Sequence, residues 1–197
     1  NGDTTATATN LTATTYNVTV TDSNSCTITD SVIITEPSPL TTSYNFTDVS
    51  CFGGNDGSVT LYIYGGTTDY IVSAFGITLP LVGGLDSIAS SALPLPNGIP
   101  AGIYPFVVMD ANGCSTTDTV IISQPTAITV SSTTTNVSCN GASDGTATVN
   151  VSGGASYSYS WDSTPTQTTA TAANLSAGTY ICTITDTMNC SINDSIT

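Results

Sequence analysis

The sequence of 197 residues contains no lysine, no arginine and no histidine, against 14 aspartate and glutamate residues and a formal net charge of −14. Binding to nucleic acid requires lysine and arginine to displace counterions from phosphate, so that class of partner is excluded. An anionic membrane surface would repel the chain for the same reason. Without histidine there is no Ser-His-Asp or Cys-His arrangement. Without lysine there is no Schiff base, and without arginine no clamp for a transferring phosphoryl group. Only paired-carboxylate chemistry survives. Glu36 is the sole glutamate, and most aspartates stand beside Ser, Thr, Asn or Gly in turn-like contexts, so the chain reads as no enzyme. Side-chain salt bridges cannot form, which leaves burial, backbone ladders and covalent links to hold the fold.

Long apolar runs are missing too. No stretch reaches the 18 residues of a membrane span, so no membrane insertion is expected, and no basic-then-apolar leader opens the chain. The expectation is an interior segment of a longer exported chain. A sustained 3.6-residue apolar period is equally absent. Instead Tyr16, Val18 and Val20 alternate with Asn17, Thr19 and Thr21, and Ala147, Val149 and Val151 with Thr148, Asn150 and Ser152. Alternation of this kind, in a chain rich in β-branched Thr, describes half-buried antiparallel strands.

The chain repeats itself. Tyr16 to Cys26, Tyr104 to Cys114 and Tyr180 to Cys190 align: an aromatic opens an alternating strand, an Asp opens a turn, and a Cys follows four residues after the Asp. These cysteines are 88 and 76 residues apart. A second landmark places Cys51 in Asp48 to Gly57 and Cys139 in Asn136 to Gly145, followed by a strand and the pairs Gly65-Gly66 and Gly153-Gly154. Proline cannot extend a ladder, so boundaries fall after Glu36-Pro37 and Gln124-Pro125. Residues 1–37 then form the C-terminal half of a unit, 38–125 a complete unit with an apolar insertion near 75–100, and 126–197 a unit lacking its last residues. In the last unit, strands are predicted over 127–136, 146–152, 156–161, 168–175, 179–186 and 191–197. The fold class expected is all-β, as tandem immunoglobulin-like antiparallel β-sandwich repeats. The segment Leu175 to Tyr180 fits a tyrosine corner, with Tyr104 and Tyr16 as counterparts.

The string Cys139 to Gly154 resembles the SprB repeat, as do Tyr157 to Trp161, Asn174 to Tyr180, and Asp110 to Pro125. The likeness spans nearly the whole chain and is strongest over 126–197. Ala74 stands where Trp161 would be expected in the middle unit, and Thr14 replaces the corner glycine of the first. SprB repeats occur in very large surface adhesins of Bacteroidota, including gliding-motility adhesins exported by the type IX system. The resemblance implies an extracellular or cell-surface stalk or filament, used in surface or cell attachment, gliding or prey capture. Self-association into a homo-oligomeric fibre is expected as well, with neighbouring chains completing each other's sandwiches by strand exchange. The competing reading makes the repeats themselves a binding module for a surface glycan or target cell. Trp161, Tyr157 and Tyr159 would then form a sugar-stacking platform, although alternate positions in a strand equally make them core.

On the repeat reading, Cys51 pairs with Cys114 and Cys139 with Cys190, while Cys26 takes a partner upstream of the segment. Each bridge would contribute roughly 4 kcal/mol on the loop-entropy account. No CxxC spacing and no histidine accompany them, which disfavours a metal site. Cys182 follows Tyr180 by two residues and has no cysteine facing it in the neighbouring strand; it reads as a buried free thiol, with an intermolecular bridge as the other reading. The acidic turns at Asp56, Asp110, Asp144 and Asp186 are weak calcium candidates, and calcium is the only cofactor the sequence suggests. Each offers one Asp beside an Asn or Ser, as an ordinary Asx turn also does. Asp-Ser and Asp-Thr pairs, including those at Asp30, Asp118, Asp162 and Asp194, resemble O-glycosylation acceptors of Bacteroidota. In the middle insertion, Leu79, Leu81, Val82, Leu85 and Ile88 either pack on their own sandwich or form a contact with another chain.

Overall fold

A computed structural model describes residues 5–81, 87–89, 98–154 and 156–197, with the backbone alone for residues 87–89. Among the described residues there is no helix, and fifteen strands pair in antiparallel fashion throughout. The chain opens with a hairpin of β1 (Thr14–Thr21) and β2 (Thr27–Ile34). The second unit comprises β3 (Thr41–Thr47), β4 (Ser58–Tyr64), β5 (Tyr70–Ala74), β6 (Ile77–Leu81), β7 (Ser87–Ala89), β8 (Gly102–Met109) and β9 (Ser115–Ile122). The third comprises β10 (Thr129–Thr135), β11 (Gly145–Ser152), β12 (Tyr157–Trp161), β13 (Thr171–Leu175), β14 (Tyr180–Asp186) and β15 (Ser191–Ile196). The six strands of this last unit lie within three residues of the ends that alternation predicts.

The third unit is two three-stranded sheets, β10-β11-β13 and β12-β14-β15. Strands adjacent in sequence but placed in different sheets, β11 to β12, β12 to β13 and β13 to β14, are the crossings of an immunoglobulin-like sandwich. Its core draws Ala147, Val149, Ala172 and Leu175 from one sheet and Trp161, Cys182, Ile184 and Ile196 from the other. The second unit repeats the plan with β3-β4-β7 against β6-β5-β8-β9, so β7 takes the place of β13 and β6 is the added strand. Here Val59, Leu61 and Ile63 face Tyr70, Val72, Phe106, Val108, Val120 and Ile122. Alternation of buried with half-buried positions along β4 and most of β11 reflects the two-residue period of a strand with one face on the core.

The hairpin β1–β2 corresponds to β8–β9 and β14–β15. Its apolar positions Val18 and Val20 are 51% and 60% exposed, whereas the equivalent Phe106 and Val108 are 5% and 0% exposed. The difference is packing: in the two sandwiches a second sheet covers this face, and among the described residues none covers β1–β2.

Three tyrosine corners lock the start of the equivalent strands. The Tyr16 hydroxyl donates to the carbonyl of Thr12 at 3.1 Å, Tyr104 to Pro100 at 2.8 Å, and Tyr180 to Ser176 at 3.2 Å. Each spans four residues, so the aromatic fixes the entry of its strand from the preceding corner. Glycine is required at the Gly-Gly landmarks. Gly65 and Gly153 adopt φ of +68° and +103°, and a Cβ at either would overlap the carbonyl of Pro39 or Ala127. The chain entering each unit passes directly against this turn.

Candidate functional site: the junction between units

Two kinds of cysteine-bearing loop recur, and the strands hold them at opposite ends of a unit. The first, at Cys51, closes on the end of β9: the Val49 amide donates to the Ser123 carbonyl at 3.0 Å, and the Ser123 amide to Asp48 Oδ1 at 2.7 Å. The Gly53 amide donates to Gln124 Oε1 at 2.7 Å. The second, at Cys114, lies at the start of β9. Its Asp110 accepts from the Thr67 amide at 3.0 Å, beside the Gly65-Gly66 turn where the Gly66 amide donates to the Ser38 carbonyl. Cys114 therefore marks the end where the unit begins, and Cys51 the end where it leaves.

This geometry corrects the expected disulfides. The eight residues of β9 separate Cys114 from the Cys51 loop, a span of roughly 26 Å at strand rise, against a disulfide reach of about 7 Å between Cα atoms. A Cys51–Cys114 bond within one unit is incompatible with the strand between them, and by the same logic so is Cys139–Cys190 across β15. The structure instead joins Cys51 to Cys190, with Cα atoms 5.6 Å apart and 139 residues between them in sequence. The departing end of one sandwich is thus stapled to the entering end of the next. Cys26, Cys114 and Cys139 are free and exposed.

The bond spans a groove of about 450 Å³ whose walls include Phe52 beside Cys51, the linker Pro125 to Ile128, and Asn189 beside Cys190. The Cys190 Sγ also lies 3.4 Å from the Ser50 carbonyl. Hydrogen bonds other than the disulfide hold both loops. Asp186 Oδ1 accepts from the amides of Met188 and Cys190 at 2.8 and 2.9 Å, and Asp56 Oδ1 from the Ser50 amide at 3.0 Å.

The same carboxylates were the calcium candidates. Asp110 Oδ1 accepts from the Asn112 and Cys114 amides at 3.0 and 2.8 Å, and Asp144 Oδ1 from the Ser138 amide at 2.9 Å. Each stands alone: among the described residues no three acidic or cysteine side chains converge, where calcium takes six to eight oxygens. Asp110 and Asp186 form Asx turns that present a cysteine, whereas Asp56 and Asp144 reach back six residues to close the loop that holds Cys51 or Cys139. Hydrogen bonds from the Ser50 side chain and amide hold the Asp56 carboxyl below its usual value. Ser138 does the same for Asp144, and for Asp110 the Thr67 amide is the largest cause.

Cys182 lies fully buried with its thiol free, and burial pushes that thiol above its ordinary pKa. Trp161 is 1% exposed and its indole N–H donates to the Thr169 carbonyl at 2.9 Å, so it presents no face to a sugar. Tyr157 is half-buried and its hydroxyl accepts from the Gly154 amide, while Tyr159 packs on the same core. Leu81 is buried in its own sandwich, and Leu79 is half-buried in the same strand, which removes Leu81 from any contact with another chain. Val82 and Leu85 lie outside the described residues, and Ile88 pairs with Leu61 through β7. Of the Asp-Ser and Asp-Thr pairs, Ser163 is buried and bonded to the Pro165 carbonyl, whereas Ser31, Thr119 and Ser195 are exposed.

Sandwiches of this plan, stapled across a junction, define a class of repeat protein made of immunoglobulin-like units. The family model described as "SprB repeat" matches residues 43–70 and 131–166, so these two stretches are similar to that repeat. Those spans run from β3 to the start of β5 and from β10 past β12, the same strands of two units. No curated protein matches the chain. A solved structure similar to it, "Structure of amphioxus IgVJ-C2 molecule", is 15% identical and covers 66% of this chain and 88% of that one, with a TM-score of 0.28. A score that low carries no argument, and the fold rests on the strand pairing described above. The SprB repeat is not an enzyme family.

Proposed function

We propose that the chain is a stalk segment of a very large extracellular adhesin, in which the repeats transmit force and hold an adhesive region away from the cell. The observation that carries this reading is the Cys51–Cys190 bond, which joins the far end of one sandwich to the near end of the next. A pull along the chain then passes through a covalent link as well as through the Pro125 linker. Such a link suits a load-bearing tandem array better than a set of independent binding domains. The SprB repeat is a feature of surface adhesins, which supports a working environment outside the cell. That environment permits disulfides. The charge fits as well: no tryptic site exists, and mutual repulsion of carboxylates favours an extended, soluble chain at low salt. At physiological ionic strength this repulsion is screened beyond about 8 Å, so copies can then associate laterally.

Small-angle scattering of the oxidised chain tests the reading. An elongated particle, with its sandwiches end to end, is expected. Sandwiches folded side by side into a compact particle would overturn it.

A further inference from the structure

The bonded pair and the free cysteines share their local geometry. Cys114 and Cys26 sit in the same turn as Cys190, each with its amide donating to the Asp four residues before it, at 2.8 Å in both. Cys139 sits in the same loop as Cys51: the Ala142 amide donates to the Cys139 carbonyl at 3.0 Å, as Gly54 does to Cys51. Both types of loop are therefore preformed, and one example of each is already joined to the other across a junction. Cys139, beyond the end of the third sandwich, is the departing type. Cys26 and Cys114 are the entering type, and all three are exposed.

We infer that Cys139 bonds to an entering-type cysteine of another copy of this repeat, and that Cys26 and Cys114 each accept such a bond, so that the Cys51–Cys190 staple recurs at successive junctions. The inference deepens the stalk reading and rests on its end-to-end order. The chemistry is thiol–disulfide exchange with a small-molecule disulfide of the glutathione class. The thiolate of one cysteine attacks that disulfide and releases one glutathione thiolate. The partner thiolate then attacks the mixed disulfide and releases the second. Two cysteine thiols lose two protons and two electrons, and one glutathione disulfide becomes two glutathione thiols.

The test mixes isotopically light and heavy copies of the chain in a glutathione redox buffer and maps linked peptides, without reduction, after cleavage with chymotrypsin and an aspartate-specific protease. Expected are light–heavy links from Cys139 to Cys114 or Cys26, and multimers on a non-reducing gel that vanish in Cys139→Ser. A second chain, with residues 38–197 appended after Thr197 through a copy of the residues at 122–125, separates the sources. Links within one polypeptide assign the partner to the next repeat of the same chain, and links between polypeptides assign it to a neighbouring chain. Cys139 recovered in both chains only as a thiol or a glutathione adduct would overturn the inference. The Cys51–Cys190 peptide in the same digest reports the end-to-end order separately, so loss of that link would instead indict the stalk reading.

Discussion

Trp161 and Cys182 lie directly opposite each other on β12 and β14, and the equivalent pair in the preceding unit is Ala74 opposite Phe106. The large side chain has moved from one strand to its neighbour while the pair stays in the core. A thiol at position 182 leaves the room that the indole fills, as the methyl of Ala74 leaves room for the Phe106 ring. Cys182 is thus explained by volume, and its chemistry plays no part in the packing.

Cys182→Phe places two aromatics in one slot, and overpacking of this kind costs about 1–3 kcal/mol. Trp161→Ala alone opens a cavity and costs about 3–5 kcal/mol. The double substitution rebuilds the Ala–Phe arrangement of the second unit and should recover part of the loss. Urea unfolding of the two single variants and the double variant yields the coupling energy, and additive losses would sink the volume account.

Thiol counting gives a second check. Of the four free cysteines, three are exposed and Cys182 is buried with its pKa raised. Under non-reducing conditions that keep the chain monomeric, a thiol reagent should modify three sites quickly. The fourth should react only after denaturant is added. Rapid reaction of Cys182 in the native protein would contradict its place in the core.

The strands of residues 126–197 were legible because their alternation is clean: Ala147, Val149 and Ile184 face in while their neighbours face out. The tyrosine corners were equally legible, since the aromatic recurs at the same place in each unit and its hydroxyl bonds to a carbonyl only four residues before it. Cysteine pairing was not. Alignment reveals that Cys51 matches Cys139 and that Cys114 matches Cys190, but equivalence carries no information on which end of the unit each occupies. That depends on the length of β9 and β15 between the loops, and on the direction in which consecutive units follow. The insertion was ambiguous for a related reason. Leu81 looks the same in sequence whether it packs on its own sandwich or on a neighbour, and only the addition of β6 beside β5 decides it.

The tyrosine corners should each contribute a hydrogen bond to stability. Tyr180→Phe keeps the ring against the core and removes only the donor to Ser176, so a loss of about 0.5–1.5 kcal/mol is expected. Tyr104→Phe should behave alike through Pro100. Chemical denaturation measures both, and a change of zero would make the corner a matter of ring packing alone.

Acid should loosen the turns that present the cysteines. Hydrogen bonds from Ser50, Thr67 and Ser138 hold the carboxyls of Asp56, Asp110 and Asp144 below their ordinary value in the folded chain. A depressed folded pKa means that the unfolded state binds protons first, so the contribution is complete above the unfolded value of about 4 and disappears as pH falls through the folded one. Unfolding free energy should therefore hold steady from neutrality to about pH 5 and decline below about pH 4. Asp110→Asn, which keeps one acceptor for the Thr67 or Cys114 amide, should be less stable at pH 7 and flatter in this acid range. An unchanged slope in that variant would remove Asp110 from the acid response.

The staple itself makes the strongest prediction. Cys51→Ser leaves both sandwiches intact, because neither core contains Cys51 or Cys190, yet it frees the junction. Closing 139 residues is worth about 5 kcal/mol on the loop-entropy account, and about 2–5 kcal/mol is the common experience for such bonds. The loss should appear in the unit ends, since the Cys51 loop is tied to Gln124 and the Cys190 turn to Asp186 independently of the bond. In force spectroscopy along the chain, the oxidised protein should release only the residues outside the 51–190 loop, while Cys51→Ser should release both sandwiches to full length. Equal contour lengths before and after the substitution would mean that the bond carries no load.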